Sequence, residues 1–177
     1  MKKLGVYSLL VAAMLFSTGC SEKNADMNVD NGASQADSSS NKGLSNADFS
    51  ALEKAGNGNW YMINGQRVLI EHVYFGFDKY NLTAENKDKA TSNASKLSAL
   101  SADTTVTVSG NTDEWGSDEY NYALGLKRAN SVKDVLVSNG VTANIALVSL
   151  GESSPVCTEK TKDCWAKNRR VEHDLSK

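Results

Sequence analysis

Proline is almost absent from this sequence: there is one among 177 residues. That excludes recognition through proline-rich segments. Basic residues are not in excess either. Nineteen Lys and Arg stand against 21 Asp and Glu, for a formal charge of -2. Nucleic-acid binders need clustered basic charge against phosphate, so that class is set aside. No internal repeat is visible. No apolar run is long enough for a mature membrane-spanning helix, which needs about 20 residues. What remains is 40% hydrophobic and 23% charged, enough for one domain with a core plus some sequence that cannot join it.

The N-terminus is the clearest organisational signal. Lys2 and Lys3 make a short basic start, and residues 4–16 form an uncharged, mostly apolar run of 13 residues. This pattern fits the apolar region of an export signal. Ser17-Thr18-Gly19-Cys20 then resembles a bacterial lipobox, although Ser17 stands where an aliphatic residue is usual. The resemblance implies cleavage before Cys20 and acylation of its thiol. The alternative is an ordinary signal peptide with an incidental cysteine. Ser21 follows, not Asp, which by the usual sorting pattern implies delivery to the outer membrane with the domain facing the periplasm.

Residues 21–45 hold six serines, four asparagines and three aspartates with almost no aliphatics. Such a segment buries too little apolar surface to offset its ordering entropy and reads as a disordered linker. Coil statistics give it a reach of roughly 30 Å, and full extension about 90 Å. The expected division is therefore a signal segment over 1–19, a lipidated linker over 20–45 and a folded domain over 46–177.

With Cys20 acylated, Cys157 and Cys164 are left as a pair. In an exported chain a disulfide is the default, worth roughly 2–3 kcal/mol in the chain-entropy model. A zinc site using these thiols with His72 or His173 is the competing idea, but six intervening residues is not a usual zinc spacing. No metal or cofactor is expected.

The folded part alternates strand and helix. A short helix is expected over 46–55, broken by Gly56-Asn57-Gly58-Asn59. Residues 68–77 are β-branched and aromatic, with Val73, Phe75 and Phe77 on one parity, and read as a strand. Thr83 caps a helix to about Leu100, with Ala90, Ala94, Leu97 and Leu100 at helical spacing. A strand over 104–109 leads into a loop over 110–116. Ser117 caps a second helix whose first turn carries Asp118 and Glu119, and Asn139-Gly140 ends it. Strands follow over 145–150 and 170–175. A β-α-β-α-β-β order predicts an α+β sandwich with helices on one face of a sheet.

One residue breaks this pattern. Tyr120, Leu124, Arg128, Val132 and Leu136 lie along one row of the second helix. An unpaired arginine on an apolar face costs several kcal/mol, so Arg128 needs a partner. That partner is either internal, with Arg128 at the edge of the face, or a carboxylate from a ligand. Asp113 and Glu114 leave a strand end and precede a helix, where sites in α/β arrangements collect. They read equally as a solvated acidic turn.

The motifs then combine. Residues 73–80 (Val-Tyr-Phe-Gly-Phe-Asp-Lys-Tyr), 110–117 (Gly-Asn-Thr-Asp-Glu-Trp-Gly-Ser) and 126–132 (Leu-Lys-Arg-Ala-Asn-Ser-Val) occur in order. Residues 151–155 (Gly-Glu-Ser-Ser-Pro) and 168–172 (Asn-Arg-Arg-Val-Glu) complete the series. Together they closely resemble the OmpA C-terminal-like family over roughly residues 68–175. With the N-terminus, they resemble its lipid-anchored members. The resemblance implies a βαβαββ sandwich on a mixed sheet, and a domain that binds peptidoglycan without catalysis, tethering outer membrane to cell wall. It implies recognition of meso-diaminopimelate in the stem peptide, with Asp113 receiving the ammonium and Arg128 the carboxylate. Asn168, Arg169 and Arg170 would line or brace that pocket; the plain alternative for the two arginines is a solvated strand start. It also implies TolB of the Tol system as a partner, with a role in envelope integrity and cell division.

Gly76, Ser109 and Asn111 depart from the family pattern, which favours Asp, Glu and His there. His173 takes a position expected to be apolar or aromatic. A hydrolase using two of Asp113, Glu114, Asp118 and Glu119 is the competing activity. It would need one carboxyl with a raised pKa, and the helix N-terminus favours the charged form of Asp118 and Glu119.

Overall fold

The computed structural model describes residues 49–177; the expected signal segment, Cys20 and the expected linker lie outside them. Three strands come first: β1 (Phe49–Ala55), β2 (Gly58–Ile63) and β3 (Gln66–Glu71). They pair antiparallel as a meander. The β2–β3 turn is Asn64-Gly65, both with positive φ (51° and 76°). An Asn-Gly pair adopts this left-handed geometry at little cost and matches the twist of the flanking strands.

The remainder runs β4 (Val73–Tyr74), α1 (Ala84–Leu97), β5 (Thr105–Asn111), α2 (Asp118–Ser138), β6 (Asn144–Gly151), α3 (Lys162–Asn168) and β7 (Arg170–Ser176). Four strands form a mixed sheet in the order β4-β7-β5-β6. β5 and β6 are parallel, joined through α2, while β7 runs antiparallel to both β4 and β5. The main helices start where the sequence places caps. Thr83 accepts from the Asn86 amide and Ser117 from the Tyr120 amide. α2 ends on Asn139, with Gly140 at φ 85°.

α2 lies along β5 and β6 and touches α1. One core joins Ala90, Ala94 and Leu97 of α1, Val106 and Val108 of β5, Ala129, Val132 and Leu136 of α2, and Val171 of β7. Fully burying a Val or Leu side chain contributes about 1.5–3 kcal/mol. The meander is tied to the sheet by Asn59 Nδ2 and Tyr61 Oη, both donating to the His173 carbonyl at 3.1 Å.

Four local expectations change. The sequence pattern predicts a short helix over 46–55, but Phe49–Ala55 is a strand. Its Ala, Leu, Glu and Lys favour helix only weakly, and a full ladder to β2 outweighs that preference. Gly58 and Asn59 belong to β2, not to a break. The strand expected over 68–77 is divided into β3 and β4, and Phe75 to Phe77 lie in the connection that follows. β5 continues through Asn111, and the sequence reading passed over α3.

Candidate binding site

The site begins with two glycines. A Cβ on Gly110 would sit 1.9 Å from the Gly125 carbonyl oxygen, and one on Gly125 would sit 2.3 Å from Ser149 Oγ. Only glycine at both places lets α2 lie this close to β5. Gly125 weakens the helix by roughly 1 kcal/mol relative to Ala. In return, Arg128, one turn further along, is delivered to the end of β5.

Arg128 is completely buried. It is not at the edge of the apolar face, and its direct hydrogen bonds are to backbone rather than to a carboxylate. Nε donates to the Lys79 carbonyl at 2.8 Å, one terminal nitrogen to Asn111 at 2.9 Å and the other to Gly76 at 3.2 Å. Burial pushes its pKa down to about 10, with the nearby Asp113 carboxylate opposing that shift, so it stays charged at neutral pH. The segment 76–79 is thereby fastened over the guanidinium. Tyr120 Oη donates to Asp78 on the outer side of the same segment.

Asp113 is 3% exposed and lies two residues past the end of β5. Its Oδ2 is bonded to the Arg169 guanidinium at 2.9 Å, and both side chains are largely buried. Arg169 Nε also donates to the Phe75 carbonyl. Asp113, Phe77, Asp78, Trp115, Gly116, Tyr120 and Leu124 line a cavity of about 250 Å³. Gly116 has φ 127°, and a Cβ there would press on Tyr120 at 3.1 Å. A larger cavity, about 660 Å³, lies between the start of α2 and the end of β6 and includes neither Asp113 nor Arg128.

The five residues singled out in the sequence therefore separate. Asp113, Arg128 and Arg169 converge, and the guanidinium of Arg169 is close enough to bear electrostatically on Arg128. Asn168 braces the preceding loop: its Oδ1 accepts from the Val156 and Cys157 amides, and its Nδ2 donates to the Cys157 carbonyl. Arg170 is spent on Glu172 and on the carbonyls of Asn168 and Ser154. Cys157 and Cys164 are joined as a disulfide with Cα atoms 5.2 Å apart, closing the loop that Asn168 fills. Among the described residues no cluster of three or more metal-ligating side chains occurs.

Residues 74–169 match the model of the OmpA family. A peptidoglycan-associated lipoprotein of Pasteurella multocida is 41% identical over 130 residues, covering 73% of this chain and 84% of that one. One from Pseudomonas putida is 38% identical over 173 residues, 97% of each chain. The chain belongs to the OmpA family, among its peptidoglycan-associated lipoproteins. The crystal structure of the Burkholderia pseudomallei peptidoglycan-associated lipoprotein superposes with a TM-score of 0.55 at 37% identity, covering 59% of this chain and 89% of that one. The C-terminal domain of Helicobacter pylori MotB aligns with a TM-score of 0.57 at 23% identity over 60% of this chain and 84% of that one, a likeness of fold alone.

In this OmpA-family chain the sequence reading missed the walls of the site. Phe77, Asp78, Trp115 and Tyr120 flank Asp113; the sequence pattern puts Phe77 on a strand face and Tyr120 in the apolar row of α2, whereas here both are exposed. Their signal was compositional: aromatics beside an acidic loop in a chain with few aromatics.

Proposed function

We propose that this chain is an outer-membrane lipoprotein that binds peptidoglycan non-covalently through the diaminopimelate of the stem peptide. The supporting observation is the Asp113 carboxylate on the wall of a small cavity, bonded to the Arg169 guanidinium and with the Arg128 guanidinium nearby. A free amino-acid centre presents an ammonium and a carboxylate together, and that charge pattern matches the three groups. Asp113 uses Oδ2 on Arg169, which leaves Oδ1 for the ligand ammonium. Arg128 has five N–H groups and spends three on carbonyls, leaving one on each terminal nitrogen for a carboxylate. Arg128 is covered by segment 76–79, so Arg169, whose side chain keeps 14% exposure, is the more accessible of the two cations. Asn168 and Arg170 act as braces in this reading.

The role is binding without catalysis. Glu119 is held below the usual carboxylate range by its backbone amide and by Ser117, the opposite of what a general acid needs. Acylation of Cys20 anchors the chain in the outer membrane, and residues 20–45 let the domain reach the wall. A role beside TolB in envelope integrity and cell division completes the proposal.

The test is co-sedimentation of the chain with purified sacculi, for wild type and Asp113→Asn, with free meso-diaminopimelate as competitor. Binding that is competed by the amino acid and lost in a folded Asp113→Asn chain supports the site. Equal sedimentation of both proteins, indifferent to the competitor, removes it.

A further inference from the structure

Beside the Asp113 cavity lies a second of about 420 Å³, lined by Phe77, Trp115, Lys162, Trp165 and Arg169. The two cavities share Phe77 and Trp115 as a common wall. Phe77 is 61% exposed and Trp115 51%, so two large rings face solvent where burial in the core would be the apolar default. The ledge is also ordered. Trp115 and Trp165 meet edge to face with centroids 5.3 Å apart. The Trp165 indole N–H donates to Glu114 Oε1 at 3.2 Å, which fixes that ring. A ligand meeting rings already held in place loses little entropy on binding.

We propose that this ledge carries a pyranose ring of the glycan strand while the stem peptide occupies the Asp113 site; the inference rests on the function proposed above. The C–H-rich face of a sugar packs on an aromatic plane, and its hydroxyl and acetamido oxygens accept from donors at the rim. Lys162 and Arg169 are such donors. The same two cations repel a second ammonium, and a purely aliphatic occupant would leave them unused. Reach agrees as well. Two residues and a short ether link separate the diamino acid from its sugar, about 10 Å when extended. A ring that touches the protein therefore does so on surface continuous with the site.

The experiment is calorimetric titration of the full chain with two soluble probes. One is a free stem peptide containing meso-diaminopimelate, and the other is that peptide on its N-acetylglucosaminyl-N-acetylmuramic acid disaccharide. Wild type binds the disaccharide probe about three- to tenfold more tightly, the range expected for one aromatic stacking contact. Trp165→Ala erases that preference and leaves the free-peptide affinity unchanged, whereas Trp165→Phe keeps most of the preference. Equal wild-type affinity for both probes overturns the proposal. So does an equal loss for both probes in Trp165→Ala, which would assign the ledge to peptide. Binding of neither probe by wild type defeats the site reading itself and the ledge with it. Asp113→Asn weakens both probes and Trp165→Ala only one, so the two failures are distinguishable.

Discussion

Arg128 and His173 are both fully buried polar side chains, and the protein treats them in opposite ways. Around Arg128 the backbone supplies three carbonyl acceptors and a neighbouring carboxylate, so a full charge is tolerated. His173 sits opposite Val108 in the β5–β7 ladder, on the same face as Val106 and Val171. Neither of its ring nitrogens has a hydrogen-bond partner, and the same holds for the buried ring of His72. Burial, and then the nearby His72, lower the pKa of His173 to about 3, so it stays neutral. A buried charge with its donors met organises a loop, whereas a buried neutral ring with none met is a standing cost.

The largest way to break this contrast is Arg128→Ala. It strands the carbonyls of Gly76, Lys79 and Asn111 and leaves a void, for an expected loss of about 3–5 kcal/mol in urea unfolding. Next is Gly110→Ala, which drives a methyl into the Gly125 carbonyl and forces α2 off β5. Overpacking of this kind costs roughly 2–3 kcal/mol, read as a lowered Tm. It also weakens sacculus binding, because Arg128 moves with the helix.

The smallest change sharpens the contrast from the other side. His173→Leu removes two unpartnered nitrogens from the core and gains about 1 kcal/mol at neutral pH. Its pH dependence has a definite sign. The unfolded histidine titrates near pH 6.5 and the folded one at about 3, so between these values the unfolded chain binds more protons. Stability from this residue is complete above about pH 6.5 and falls as pH drops towards 3, by up to ~1.4 kcal/mol per pH unit. The leucine variant therefore shows a shallower acid limb in unfolding followed from pH 7 to 4. An unchanged limb would mean that His173 does not carry it.

The framework of caps and periodic faces was legible before the structure. Thr83 and Ser117 start helices because their hydroxyls meet orphan amides, a purely local event. Phe49–Ala55 was misread because its composition favours helix while its pairing is decided by β2. Asn64-Gly65 carried the missed signal, since that dipeptide between β-rich segments marks a hairpin. At the site, Asp113 and Arg128 were legible as an odd loop and an odd arginine. Arg169 as the ion partner of Asp113, 56 positions away, was not.

The sequence by itself determined the two long helices, α1 and α2, and the α+β class, since caps and hydrophobic period act over a few residues. It also marked Arg128 as needing partners, because a charge on an apolar face costs the same wherever the chain leads. Which partners it took was decided only by the tertiary structure. The carbonyls of Gly76 and Lys79, the approach of Gly110 to Gly125 and the joining of Asp113 to Arg169 all depend on distant segments meeting, and local propensity carries no record of such meetings.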